Sequence, residues 1–125
     1  MYFIGRMRRL SRMNMSKFFE LPEFEKELKR LSKKYPTLVS DIEDIKPILL
    51  TNPTGIGKNF TIINYSEEVK IVKVRIHCES LRARKMRLIY AYHKDKIEFM
   101  YIELYFKGDK DNEDRDRIKE YLKNF

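Results

Sequence analysis

The chain has 125 residues, with 27 Lys and Arg against 19 Asp and Glu, so its formal net charge is +8. Its 42% hydrophobic content supports one domain with an ordinary core, and 13% aromatics exclude a disordered basic tail, which lacks large apolar side chains. The lone Cys78 excludes an internal disulfide framework and a CxxC zinc or redox motif, and no apolar run approaches the ~18 to 20 residues of a membrane span. A cytoplasmic, reducing setting is the expectation.

Residues 1–15 carry Arg6, Arg8, Arg9 and Arg12 without an acid, and they lack the apolar stretch of a signal peptide. They read as a flexible basic extension, followed by a single domain over residues 16–125. Ser16 to Leu21 is short and aromatic and is closed by Pro22, which cannot donate to a sheet ladder, so an edge strand is predicted. Pro22 also suits the first turn of a helix, with Glu23 and Glu25 near its positive end. Phe24, Leu28, Leu31 and Tyr35 then form one helical face ending near Lys34. Pro36 stops that helix, Thr37 is placed to cap the next, and Leu38, Ile42, Ile45 and Leu49 repeat the helical spacing. The pair makes a helical hairpin whose apolar stripes need a sheet to cover them.

Thr51 to Asn59 is a loop by composition. Its Gly55 and Gly57 do not make a phosphate-binding loop, because that motif needs GxxxxGK[ST] between a strand and a helix. The period then changes from 3.6 to 2. Val72, Val74, Ile76 and Cys78 share one face of a strand and Lys73, Arg75 and His77 the other. Met86, Leu88, Tyr90 and Tyr92 oppose Arg87, Ile89, Ala91 and His93 in the next. After an Asp95-Lys96 turn, strict alternation puts Met100, Ile102, Leu104 and Phe106 inward and Tyr101, Glu103 and Tyr105 outward. That gives three antiparallel strands. Past Gly108, a terminal helix carries Ile118, Tyr121, Leu122 and Phe125 as a stripe, with acids at its start and Lys119 and Lys123 near its end. The predicted fold is α+β: an N-terminal edge strand and a helical hairpin packed on a small antiparallel sheet, with a C-terminal helix.

From Lys70 to Lys96 there are nine Lys or Arg against Glu79 and Asp95. Lys73, Arg75 and Arg87 are expected to converge on one face, where like charges repel unless an anion joins them. Nucleic-acid phosphate is the commonest such partner. Lys70 and the hairpin-tip cations Arg82, Arg84 and Lys85 extend the surface, and Tyr101 and Tyr105 beside them could stack on unpaired bases, although burial against another element is the better reading for Tyr101. No HExxH spacing, GxSxG, Cys-His-Asn neighbourhood or glycosidase-type carboxylate pair is found, so neither metal nor cofactor is called for. What remains is metal-free phosphoryl chemistry by a ribose 2′-OH, which needs alignment, cations and proton transfer. Lys73, Arg75, Arg87, His93, Glu103, Tyr105 and Lys107 supply that inventory.

The runs Phe24-Glu-Lys-Glu-Leu-Lys-Arg-Leu-Ser-Lys-Lys-Tyr-Pro36, Val72-Lys-Val-Arg-Ile76, Met86-Arg-Leu-Ile-Tyr-Ala-Tyr92 and Ile102-Glu-Leu-Tyr-Phe-Lys107, in this order, resemble the RelE/ParE superfamily of toxins, over roughly Ser16 to Leu122. The resemblance implies a toxin encoded beside an antitoxin. The activity it implies is ribosome-dependent mRNA cleavage, or in the ParE branch poisoning of DNA gyrase; a relic that binds nucleic acid without activity is the third reading. For the nuclease branch the family's cationic pair falls on Lys73 and Arg75, and its transition-state arginine on Arg87. The glycine-rich turn of many relatives is replaced by Leu81 to Met86. The late catalytic tyrosine has no counterpart, because Tyr121 belongs to the terminal helix stripe, which leaves Tyr105 or His93 as substitutes. The implied partners are an acidic antitoxin, the ribosome and mRNA, with no membrane and no small-molecule cofactor.

Overall fold

A computed structural model describes residues 17–124 of the chain. The extension read over residues 1–15, together with Ser16 and Phe125, lies outside them. Strand β1 (Phe18–Glu20) leads into α1 (Pro22–Lys34) and α2 (Leu38–Thr51), then β2 (Phe60–Tyr65), β3 (Val69–Cys78), β4 (Ala83–His93), β5 (Glu98–Phe106) and α3 (Arg115–Lys123). The sheet order is β1-β5-β4-β3-β2, with β1 parallel to β5 at one edge and all other pairs antiparallel. The antiparallel part therefore has four strands, not the expected three. The added one, β2, has an irregular register at Ile62/Asn64 and an outer edge without a partner strand among the described residues, so its alternation is weak in the sequence.

The helical hairpin forms as its spacing predicts. Pro22 opens α1, acids stand in its first turn and lysines in its last, and Phe24, Leu31 and Tyr35 are buried. Leu38, Ile42, Ile45 and Leu49 of α2 join them against one face of the sheet, formed by Val72, Val74, Ile76, Cys78, Met86, Leu88, Tyr90 and Tyr92. Thr37 does not cap α2. Its hydroxyl donates to Asp41 Oδ2 (2.9 Å) and accepts from the Ser80 N–H (2.8 Å), while the Glu79 N–H donates to Asp41 Oδ2 (3.2 Å). The β3–β4 turn is thereby tied to the junction of the two helices.

The loop after α2 lies flat on β3. Gly55 has φ +72°, and a Cβ there would come 2.7 Å from Val72 Cγ1, so only glycine allows this approach. The loop is fixed from below by the Tyr90 hydroxyl, which donates to the Pro53 carbonyl (3.0 Å).

Strict alternation fails in β5. Ile89 pairs with Glu103 but Tyr90 pairs with Tyr101, so one extra residue is accommodated at Ile102. Phe99 and Tyr101 therefore face the hairpin together with Leu104, whereas Ile102 and Tyr105 belong to the opposite face. Tyr101, expected outward, is buried against Phe24 and Phe18; Met100 and Ile102, expected in the hairpin core, pack on the other side.

On that second face α3 lays Ile118, Tyr121 and Leu122 over Val69, Ile71, Ile89, Ala91 and Ile102. Asp114 caps α3 by accepting from the Arg117 N–H (3.0 Å). Arg117 reaches back to α1, donating to both carboxylate oxygens of Glu27 at 2.9 Å and to the Ile102 carbonyl at 2.9 Å. No described helix is long and apolar enough to cross a membrane.

Candidate nucleic-acid interface

Helix α3 is too short to cover the second face. Its nine residues span about 14 Å at 1.5 Å each, whereas the eleven residues of β4 run about 36 Å, so α3 leaves one end of the sheet to the 107–114 segment, whose Lys110 and Glu113 stand over part of it. Across that end Arg75 pairs with Arg87, and Arg87 with Tyr105, in one row over β3, β4 and β5. Two arginines directly opposite each other repel. Arg75 is exposed, but Arg87 is only 9% exposed and is held by the Arg84 carbonyl (2.7 Å) and the Met86 carbonyl (3.3 Å). Burial, and then the Arg75 charge, pull the Arg87 pKa down, with the neighbouring Tyr105 opposing. An arginine does not give up its proton in a protein, so the site's response to this strain is to favour an anion.

Tyr105 completes the row. Its hydroxyl is buried and has no hydrogen-bond partner among the described residues. Burial, with Glu113 and Glu103 nearby, pushes its pKa up to about 12, so it is a proton donor at neutral pH. Lys110 stands over its ring at 5.1 Å and also pairs with Glu103. Lys85 and Lys107, both exposed, lie two residues beyond Arg87 and Tyr105, where the Lys107 N–H donates to the Lys85 carbonyl (2.8 Å) and prolongs the ladder.

The other candidates divide. Lys73 shares the face but is not a free cation: its ammonium is paired with Glu113 at 2.9 Å, and Glu113 also takes Arg115 at 2.9 Å. The expected meeting of three unpaired cations is therefore a meeting of two, with the third neutralised. Burial opposes ionisation of Glu113, but its hydrogen bond from Lys73 and the charges of Lys73 and Arg115 hold its pKa below the ordinary value. Glu103, fully buried, is occupied by the Asp114 N–H (2.7 Å) and Lys110. It anchors the start of α3.

His93 lies six residues from Arg87, about 20 Å along the strand, with α3 packed on the stretch between them. It meets the Tyr121 hydroxyl, and burial lowers its pKa. Lys70 is at the same far end, its ammonium 4.8 Å from the Tyr65 ring centre, and alternation turns it to the hairpin side. The tip cations also disperse. The turn comprises residues 79–82, so Arg84 and Lys85 belong to β4, and Arg84 lines a groove with Asp41, Asp44 and Glu79. Arg82, at φ +52°, is exposed in the tethered turn. Tyr101 is inside the core and stacks on no base.

Glu113, Arg115 and Lys110 are the site residues that sequence reasoning missed. In the sequence they belong to the charged approach to a helix, and nothing local ties them to a strand 40 residues away. Among the described residues no group of three or more His, Cys, Asp or Glu is placed to hold a metal ion.

No protein-family model matches the chain, and no curated protein matches it either. Among solved structures, a chain of the archaeal RelE–RelB complex from Pyrococcus horikoshii OT3 is similar to it. The match has a TM-score of 0.56 at 15% sequence identity and covers 75% of this chain and 97% of that one. At this identity the likeness establishes the fold. The chain has a RelE-like α+β architecture, which is the one expected from its strand and helix patterns.

Proposed function

We propose that this protein is the toxin of a toxin–antitoxin pair and an mRNA endonuclease that acts on the ribosome without a metal. The observation that carries the reading is the Arg75–Arg87–Tyr105 row at the end of a RelE-like sheet that α3 does not reach. Attack of a ribose 2′-OH on the adjacent phosphorus forms a P–O bond, yields a cyclic phosphate and expels the 5′-oxygen. Arg75 and Arg87 stabilise the negative charge that grows on the phosphoryl oxygens, and the Tyr105 hydroxyl, reached once the bound strand displaces the Lys110 side chain over its ring, donates the proton that the leaving oxygen needs. Lys85 and Lys107, side by side beyond Arg87 and Tyr105, hold the strand at that one end of the row. The row offers cations and a proton donor but no base for the 2′-OH. This is a physical reason for dependence on a second macromolecule that aligns the ribose and takes up its proton.

The partner that would silence such a site follows from charge. A neutralising protein with an acidic, amphipathic segment suits a +8 chain and a row of cations that has no counterion among the described residues. RelE and RelB are found together in the solved complex that resembles this fold. The proposal is tested by in vitro translation with primer extension on the message. Cuts at defined positions are expected, and Arg87→Ala should reduce cleavage at least 100-fold, the scale of one lost oxyanion donor, while changing ribosome binding far less. An intact message at protein concentrations that saturate the ribosome would overturn it.

A further inference from the structure

Lys73 and Arg75 are two residues apart on β3 and face the same way, so their Cα atoms are about 7 Å apart. Their surroundings differ sharply. Arg75 faces another cation, whereas Lys73 has a carboxylate of its own chain seated on it. That carboxylate, Glu113, has a side chain only 1% exposed and is shared between Lys73 and Arg115, both at 2.9 Å. The segment that delivers it, residues 107–114, runs from the end of β5 to the start of α3 and is fastened where the Asp114 N–H meets Glu103. A buried carboxylate between two basic side chains has the charge and the acceptor oxygens of a phosphate group in the same place.

We propose that Lys73 and Arg115 form a phosphate subsite next to the Arg75–Arg87 row, and that Glu113 occupies it as a built-in surrogate anion. The ligand class is the phosphodiester of a single RNA strand, one nucleotide from the group bound at the row; this rests on the row being an RNA site. RNA gains the subsite only by displacing Glu113, so the 107–114 segment sets how tightly the free protein holds nucleic acid. A role confined to fastening α3 would leave RNA affinity indifferent to the identity of residue 113.

The test is fluorescence anisotropy of a labelled 12-nucleotide single-stranded RNA on the full chain, between 50 and 200 mM salt. Glu113→Gln is expected to tighten binding about fivefold and to steepen the salt dependence by about 0.7 in log–log slope, the increment for one added phosphate contact on a single strand. Glu120→Gln, an exposed position on α3 with the same change in net charge, controls for charge alone. Adding Lys73→Gln to Glu113→Gln should abolish the gain. Glu113→Asp, which shortens the reach and keeps the charge, should move affinity in the same direction by less and serves if Glu113→Gln does not fold. Equal affinity and slope for Glu113→Gln and Glu120→Gln would overturn the subsite. Should Arg87→Ala leave RNA binding unchanged, the interface itself would fall; loss on Arg87→Ala with no gain on Glu113→Gln would remove only the surrogate anion.

Discussion

The two faces of one sheet are built on opposite terms. The hairpin face is apolar under the helices: Phe24 meets Tyr101 and Tyr90 meets Phe99 with tilted rings, and Leu38, Leu49 and Leu88 are completely buried around them. The opposite face is apolar only where α3 lies on it, and beyond that patch it carries a row of arginines and a tyrosine hydroxyl without a partner among the described residues. Burial on the first face supplies the stability that lets the second hold like charges side by side. Helix length sets the division, because a nine-residue helix cannot shield a strand of eleven.

The strongest way to break this division is to hollow the hairpin face. Leu88→Ala removes a fully buried side chain and should cost about 3 kcal/mol, lowering the melting temperature by roughly 10 °C in a chain of this size. Denaturant unfolding at unchanged m-value would check it, and a loss below about 1 kcal/mol would show that the face is loosely packed.

Arg117→Ala should come next, at roughly 2 kcal/mol. It strands Glu27, and its own side chain is 17% exposed, so the loss falls below that of a fully buried pair. The effect is expected to be local. Hydrogen exchange should speed up at Ile118 to Leu122 while the amides of α1 and α2 keep their protection. Uniform acceleration would mean that the two faces are one cooperative unit.

The smallest effect is that of pH on the His93–Tyr121 contact. Burial and Lys96 depress the His93 pKa, against the opposing pull of Asp95 and Glu98. Between the folded value and the ordinary one the unfolded chain binds more protons, so His93 contributes stability that is present above about pH 6.5 and is lost as pH falls toward its folded value. Thermal melts from pH 7 to pH 5 should show a decline that is shallower in His93→Gln. Equal slopes would remove His93 as the cause.

The hairpin and the strands β3 and β4 were legible because their signals are local. Proline at a helix start, apolar residues at spacings of three and four, and alternation in Val72 to Cys78 each follow from backbone geometry that the neighbouring residues alone dictate. Arg75, Arg87 and Tyr105 could be placed on one face by the same reasoning, and the cross-strand register does put them in one row. Strand β2 was not legible, since an irregular edge strand has no full alternation to read.

The sequence by itself determined the helical hairpin, the face on which each residue of β3 and β4 lies, and the excess of positive charge, because periodicity and composition are properties of the chain. Tertiary structure alone decided that one extra residue at Ile102 turns Tyr101 into the core, that Thr37 and Asp41 tether the β3–β4 turn, and that Glu113 neutralises Lys73. Those outcomes depend on which segments meet across 11 to 43 positions, and a pairing at that range leaves no periodic trace in either partner.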